Sequence, residues 1–403
     1  MDLSSFLRRA FKSRALRHAV VLFLVARLLL SAWALVVQTV IPVPAVPDEV
    51  LRPYLGAPVL SAGPNDSLAN YLLGPWQRFD TMRYLALARD GYDAPNSVFP
   101  PLYPLAIRTL GALFAVLSGA PVDTANLVAA IVLGNLALIG ALALFHRLIA
   151  AELSPADPPR TLLYLLFFPT GFFLLAAYTE SLFLFFALGA FLAMKHERPL
   201  LAGSFGALAA LTRLTGWGLV IPLAYLYLQQ RGWSWRRIDW RGIGVLLPGL
   251  ALLAFLLWRA AAGFPSLAEV YQSQWLQSTR LPGRDLFVAL RSLITGSGPR
   301  AGEFTLLFDF LCLLLLLATT PAAFRLGRAY GLYNLVMLLF MLLPASDFKP
   351  LYSFSRYTLV FFPTFMVLGR LGRRPWLNRL ILYPSLALYL YFSGQFFLWG
   401  WVA

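Results

Sequence analysis

Asp80, Arg83 and Tyr84 stand at positions i, i+3 and i+4 of the stretch Trp76–Tyr103, WQRFDTMRYLALARDGYDAPNSVFPPLY. On a helix these three side chains share one face. A carboxylate placed there can accept a proton from an attacking hydroxyl, which is the general-base role. The plainer alternative is an interfacial helix on which Asp80 pairs with Arg83. Gly91 supplies a stop for that helix, and Pro100-Pro101-Leu102-Tyr103-Pro104 opens the next one. A second acid, Glu180, lies in Tyr178-Thr179-Glu180-Ser181 at the junction of two apolar runs. Thr179 or Ser181 can cap a helix there, with Glu180 favoured by the helix dipole. Capping accounts for the hydroxyls but not for an acid so close to hydrocarbon.

The cations have a pattern of their own. Arg213 interrupts an apolar run in Thr212-Arg213-Leu214-Thr215-Gly216, and a charge at that depth costs a few kcal/mol unless it faces a polar cavity or a partner. Arg356, in Ser353-Phe354-Ser355-Arg356-Tyr357, opens another run, with Lys349 close by. Guanidinium forks match phosphate oxygens; snorkelling to lipid headgroups is the ordinary alternative for Arg356 and a harder one for Arg213. Arg280, Arg284 and Arg291 fall in a polar loop and read as headgroup or solvent contacts.

The elements that must position these residues are membrane spans. Apolar residues make up 59% of the 403-residue chain and charged residues 13%, far from a soluble domain. Runs of about 20 apolar residues cross a bilayer core of about 30 Å. Spans fall near 19–43, 124–146, 161–178, 181–195, 200–213, 215–228, 242–263, 303–324, 329–345, 357–369 and 380–402. This predicts a single all-α polytopic domain over 1–403 with about eleven transmembrane helices. Basic clusters place the N-terminus, 1–18, in the cytoplasm, beginning with Arg8, Arg9, Lys12, Arg14 and Arg17. All basic clusters share that side if 98–118, with three prolines and Arg108, lies as a juxtamembrane helix along the outer interface. The large extracytoplasmic loops are then 44–123 and 263–302, and a loop as long as the first one ordinarily carries function.

Several classes drop out. The net charge of +15 is spread over short loops between apolar runs, as membrane topology requires, and not on a nucleic-acid-binding face. Cys312 is the single cysteine and lies inside an apolar run, so no disulfide or cysteine metal site is available. His18, His146 and His196 all border predicted cytoplasmic loops, which leaves carboxylate and arginine for outer-face chemistry. Neither a phosphate-binding P-loop nor a GxGxxG turn occurs. A transporter of a lipid-linked sugar is the competing class; it predicts polar groups spread through several spans, whereas here they gather toward the outer side.

The ordered set RFDTMRYLALARDGY, FPPLYPLAIR, FPTGFFLLAAYTESLFL, GALAALTRLTG, SRYTLVFFP and WGWVA resembles the GPI mannosyltransferase II (PIG-V type) family and its prokaryotic relatives. The resemblance runs from Trp76 to the C-terminus. It implies a GT-C type helical bundle that moves a sugar from a polyprenyl-phosphate donor to a glycolipid or glycan acceptor. It also implies an extracytoplasmic active site in a prokaryotic plasma membrane, with membrane lipids as surroundings. Carried over by position, Asp80 matches the acid of the family's Trp-Asp pair, with Phe79 in place of Trp. Glu180 matches the acid of the Tyr-Thr/Ser-Glu-Ser motif, Arg213 the Thr-Arg-x-Thr-Gly arginine, and Arg356 the Arg-Tyr before a late span. Arg83-Tyr84 stands where His-Tyr is usual. The expected substrate contacts are Arg78, Arg83, Tyr84, Tyr103, Glu180, Arg213, Lys349 and Arg356, with Asp80 as base. A sugar phosphate already carries its leaving group, so the scheme needs neither a cofactor nor a metal.

Overall fold

The computed structural model describes residues 13–41, 68–280 and 283–402. Arg8, Arg9 and Lys12 of the basic N-terminus and the 42–67 part of the first loop lie outside the described residues. The helices are α1 (Arg14–Val40), α2 (Leu68–Leu73), α3 (Asp80–Asp90), α4 (Leu102–Ser118), α5 (Val122–Glu152) and α6 (Pro158–Leu166). They continue as α7 (Glu180–Lys195), α8 (Pro199–Ala210), α9 (Val220–Gln230), α10 (Leu247–Ala261), α11 (Leu267–Trp275) and α12 (Arg284–Thr295). The last are α13 (Phe304–Leu326), α14 (Arg328–Met341), α15 (Phe354–Tyr357), α16 (Phe362–Leu371) and α17 (Pro375–Phe397). A two-residue ladder pairs β1 (Ser278–Thr279) with β2 (Pro344–Ala345) antiparallel. Among the described residues, five helical segments are long and apolar enough to cross a membrane: α1, α5, Trp240–Ala261 (which contains α10), α13 and α17. The fold is all-α and polytopic, as composition requires.

Several expected spans are not continuous helices. The apolar stretch 161–178 divides, because α6 ends at Leu166 and Phe167-Phe168-Pro169-Thr170 leads into a 3-10 turn over Gly171–Leu174. Proline lacks the amide hydrogen that would continue α6. Gly171 packs so tightly that an added Cβ would sit 2.2 Å from the Leu166 carbonyl. The runs 200–213 and 215–228 form α8 and α9, joined through Arg213 and a 3-10 turn at Leu214–Leu219. The stretch 98–118 forms α4, whose 17 residues measure about 25 Å, short of the bilayer core.

The chain clusters into two compact units: Met1–Gly91, Leu102–Leu188 and Leu368–Trp401 in one, Tyr92–Pro101, Gly189–Val367 and Val402–Ala403 in the other. In the first, α1 packs on α5 and α17. Its buried stripe is mostly alanine (Ala15, Ala19, Ala26, Ala34), and small residues let membrane helices approach closely. Trp33 Nε1 donates to the Leu390 carbonyl of α17 at 2.9 Å. A three-residue link folds α4 back onto α5. Arg89, near the end of α3, reaches Asp123 at the start of α5 at 3.4 Å, an exposed pair that contributes little energy but shows that α5 begins beside the end of α3. In the second unit, α8 packs on α10 and on the segment leading into it. There an added Cβ at Gly203 would lie 1.8 Å from the Gly244 carbonyl oxygen.

Two outcomes follow. Cysteines introduced at Asp93 and Asp123 should both react with an impermeant thiol reagent from outside. Labelling of position 123 from the inside alone would show that α4 crosses. Separately, Gly203→Ala should lower thermal stability by about 1–3 kcal/mol or more, the cost of overpacking against backbone that cannot yield. In Gly249→Ala of α10, the new Cβ meets Val220 at an ordinary 3.5 Å. That change should be neutral or gain about 0.5–1 kcal/mol from helix propensity.

Candidate active site

The first unit holds the two candidate acids, Asp80 and Glu180. Helix α3 begins at Asp80 and ends against Gly91, whose φ is +87°. Asp80 itself is half-buried, while Arg83 and Tyr84 on the same helix are buried. Three contacts tie the start of α3 to the segment before α7. Thr81 Oγ1 donates to the carbonyls of Trp76 (3.2 Å) and Ala177 (3.3 Å). The Tyr178 hydroxyl donates to the Arg78 carbonyl at 3.2 Å. The hydroxyls of Tyr84 and Thr179 lie 3.4 Å apart. Glu180 is the first residue of α7 and is fully buried. Tyr103, on α4, meets the Tyr84 ring edge-on at 5.0 Å and donates to the Ala130 carbonyl at 3.1 Å. Asp80, Arg83, Tyr84, Tyr103 and Glu180 therefore occupy one neighbourhood, built by α3, α4, α5 and the start of α7.

Arg78 is held within the protein interior. It is 1% exposed, and its guanidinium is spent on main-chain oxygens. Nε and Nη2 donate to the Phe397 carbonyl (3.2 and 2.9 Å), and Nη1 to those of Gly74 (2.7 Å) and Gln77 (3.3 Å). Burial lowers its pKa to about 9. With its other face against the Trp399 ring at 4.4 Å, Arg78 ties the segment before α3 to the end of α17.

Between Arg78 and Asp80, Phe79 has φ +49° and ψ −116°, a conformation that costs a residue with a Cβ about 1–3 kcal/mol. Aromatic packing holds it: its ring centroid lies 5.0 Å from Trp401, 5.7 Å from Trp399 and 5.9 Å from Phe396. Such pairs contribute about 0.5–1.5 kcal/mol each, enough to offset the strain. The terminal WGW motif thus has a structural role that reading the motif alone did not expose.

The second unit holds Arg213, Lys349 and Arg356. Arg213 precedes the 3-10 turn after α8, and Arg356 lies on α15. Their guanidinium carbons sit 5.3 and 5.2 Å from the centroid of the same ring, that of Tyr357. Arg356 is buried, Arg213 half-buried. Two guanidinium groups therefore lie against one aromatic ring. The loop before Arg356 is strapped from three sides. Asp309, buried within α13, accepts the Ser355 amide at 2.8 Å and pairs with Arg300 at 3.0 Å. Arg300 also donates to the Pro350 carbonyl at 2.9 Å. Asp285 of α12 accepts the amides of Ser346 (3.0 Å) and Leu351 (3.3 Å). Lys349 rides on this loop with Nζ 4.8 Å from the Tyr352 ring centroid, and burial, aided by Arg300, lowers its pKa. Tyr357 and Asp309 were missed in the sequence, although an isolated acid in the apolar run of α13 was a usable signal. A groove of about 760 Å³ in this unit is lined by Ala94, Pro95, Glu269, Val270 and Gln272 among others, and by none of the candidate residues.

Burial raises the Asp285 carboxyl from 3.8 to about 6, Asp347 adding to the effect against the two amide bonds. The folded state therefore holds this proton more tightly than the unfolded chain. The stability this contributes is fully present below about pH 4 and is lost as pH rises through about 6. In Asp285→Asn, that decline in melting temperature between about pH 4 and 6 should flatten.

The family described as Mannosyltransferase (PIG-V) matches residues 16–233, a segment that contains Asp80, Arg83, Tyr84, Tyr103, Glu180 and Arg213. GPI alpha-1,6-mannosyltransferase 2 of Mus musculus is 29% identical over 188 residues, a match spanning 46% of this chain and 38% of the mouse protein. Among solved structures, ArnT from Cupriavidus metallidurans bound to undecaprenyl phosphate aligns with a TM-score of 0.46 at 16% identity, covering 94% of this chain and 76% of that one. Its apo form aligns at 0.44 and 18% identity, covering 78% and 70%. With the family match extending over more than half of its residues, the chain belongs to the PIG-V mannosyltransferase family.

Proposed function

We propose that this chain is a membrane glycosyltransferase, a mannosyltransferase by family, which moves a sugar from a polyprenyl-phosphate donor to an acceptor hydroxyl on the extracytoplasmic face of a prokaryotic plasma membrane. The observation that carries the reading is the placement of Arg213 and Arg356 on one tyrosine ring, in a chain of this family. A phosphate leaving group needs its growing charge neutralised, and preorganised guanidinium groups do this at no reorganisation cost during reaction. Lys349 adds a cation on the strapped loop before Arg356.

In this scheme the acceptor oxygen attacks the anomeric carbon while the bond from that carbon to the phosphate oxygen breaks. The electron pair leaves with polyprenyl phosphate, the hydroxyl proton passes to Asp80, and the anomeric centre inverts. Exposure favours Asp80 over Glu180 for the base: Asp80 is half-buried at the start of α3, whereas Glu180 is fully enclosed. Glu180 and Tyr84 then shape the acid's surroundings. Neither metal nor cofactor enters any step.

Asp80→Asn keeps the shape but cannot take the proton, so turnover should fall by about 10²–10⁴, measured as polyprenyl phosphate released from polyprenyl-phosphate-linked sugars by purified protein. Near-normal release by Asp80→Asn with loss in Glu180→Gln would reverse the two roles. If no lipid-phosphate sugar is turned over but labelled lipid crosses the bilayer of proteoliposomes, the protein is a flippase instead.

The cations separate in a second assay. Arg213→Ala and Arg356→Ala should each weaken donor use about tenfold or more, the loss expected of a desolvated charge-assisted contact. Arg291→Ala, on the exposed face of α12, should change it little. Equal losses in all three would indicate general surface attraction.

A further inference from the structure

Helix α12 (Arg284–Thr295) has two unlike faces. One packs inward, with Ala289 and Ser292 buried and Asp285 holding the amides of Ser346 and Leu351. The opposite face is exposed and apolar: Phe287 is 68%, Leu290 40% and Ile294 74% accessible. These three stand at i, i+3 and i+7, one continuous stripe along the helix. Arg284 and Arg291, both exposed, lie along one edge of it. In the loop to which Asp285 ties the helix, Phe348 is exposed to 66%. Arg284 and Arg280 hold that loop through Asp347 at 2.7 and 3.3 Å.

The occupant of this stripe follows from its connection to the membrane. Helix α12 packs on α13, one of the segments of membrane length. α13 carries its own exposed apolar row, Phe304, Leu307, Leu311 and Leu314. Eight residues separate the end of α12 from the start of α13. An amphipathic helix held that close to a span, apolar outward with arginine at its margin, has the make-up of one that lies in the headgroup region. We propose that α12 docks on the bilayer surface, burying Phe287, Leu290 and Ile294 among the acyl chains nearest the headgroups, with Arg284 and Arg291 meeting anionic lipid phosphates. Through Asp285 and Asp347 the docked helix sets the position of the loop that carries Lys349. This assignment does not depend on the identity of the reaction.

The test uses full-length protein in lipid nanodiscs, with single cysteines at Phe287, Leu290, Ile294 or Thr295 labelled by an environment-sensitive fluorophore. Cys312 is buried and can be changed to serine as a check on background labelling. Probes at 287, 290 and 294 should be quenched by spin labels at the shallow depth of about 5–10 Å that such helices reach. They should also be shielded from a water-soluble quencher several-fold better than a probe at 295. The shielding should increase when phosphatidylglycerol replaces part of the phosphatidylcholine, and Arg291→Gln should blunt that increase. Equal access of the aqueous quencher to all four positions would overturn the proposal. So would shielding that is present in discs holding two copies and absent in discs holding one, since the stripe would then be a contact between copies. Melting temperatures matching the parent protein ensure that exposure is not a sign of misfolding.

Discussion

A guanidinium withdrawn from water must place its donors on oxygen, and Arg78 meets that demand entirely from the backbone. By taking the Phe397 carbonyl with two nitrogens and the Gly74 and Gln77 carbonyls with a third, it fastens the segment before α3 to the last helix. The start of α3, the strained Phe79 and the half-buried Asp80 all depend on that attachment. Leaving such a charge without its oxygens would cost several kcal/mol, so the surrounding backbone has little freedom to rearrange.

Other charges among apolar residues are held in comparable ways. Arg27, midway along α1, donates to the Leu175 carbonyl at 3.1 Å and covers the Trp76 ring at 4.1 Å. Asp309 in α13 takes an amide and Arg300 together. Arg213 and Arg356 rest against one tyrosine. Arg27 and Asp309 thereby satisfy backbone groups that no helix ladder takes up. In membranes, irregular backbone persists where protein groups satisfy it, and these contacts are how that condition is met here.

Much of this was legible from residue types alone. The long apolar runs located α1, α5, α13 and α17, and Gly91 marked the end of α3. The spacing of Asp80, Arg83 and Tyr84 placed them on one helix, as found. The interruption at 212–216 was visible because polar residues break an apolar run. What could not be read were breaks made by sterics inside apolar sequence: Pro169 and Gly171 split a stretch that hydropathy treats as uniform. Nor could the roles of individual arginines be assigned. Arg78 and Arg356 look alike in sequence, each beside an aromatic residue. Only three-dimensional packing reveals that one serves a carbonyl more than 300 residues away while the other shares a ring with Arg213.

That distance has a consequence for biogenesis. Membrane proteins emerge from the ribosome in chain order, and pairings between remote segments are slow to form. Arg78 is made long before its main acceptor on α17, and Phe79 before the tryptophans that hold its backbone in place. Throughout synthesis of the intervening segments, the loop preceding Asp80 must be satisfied by water or by transient neighbours. The carboxylate therefore reaches its final setting only after α17 has been inserted, more than 300 residues of synthesis after Arg78 is made.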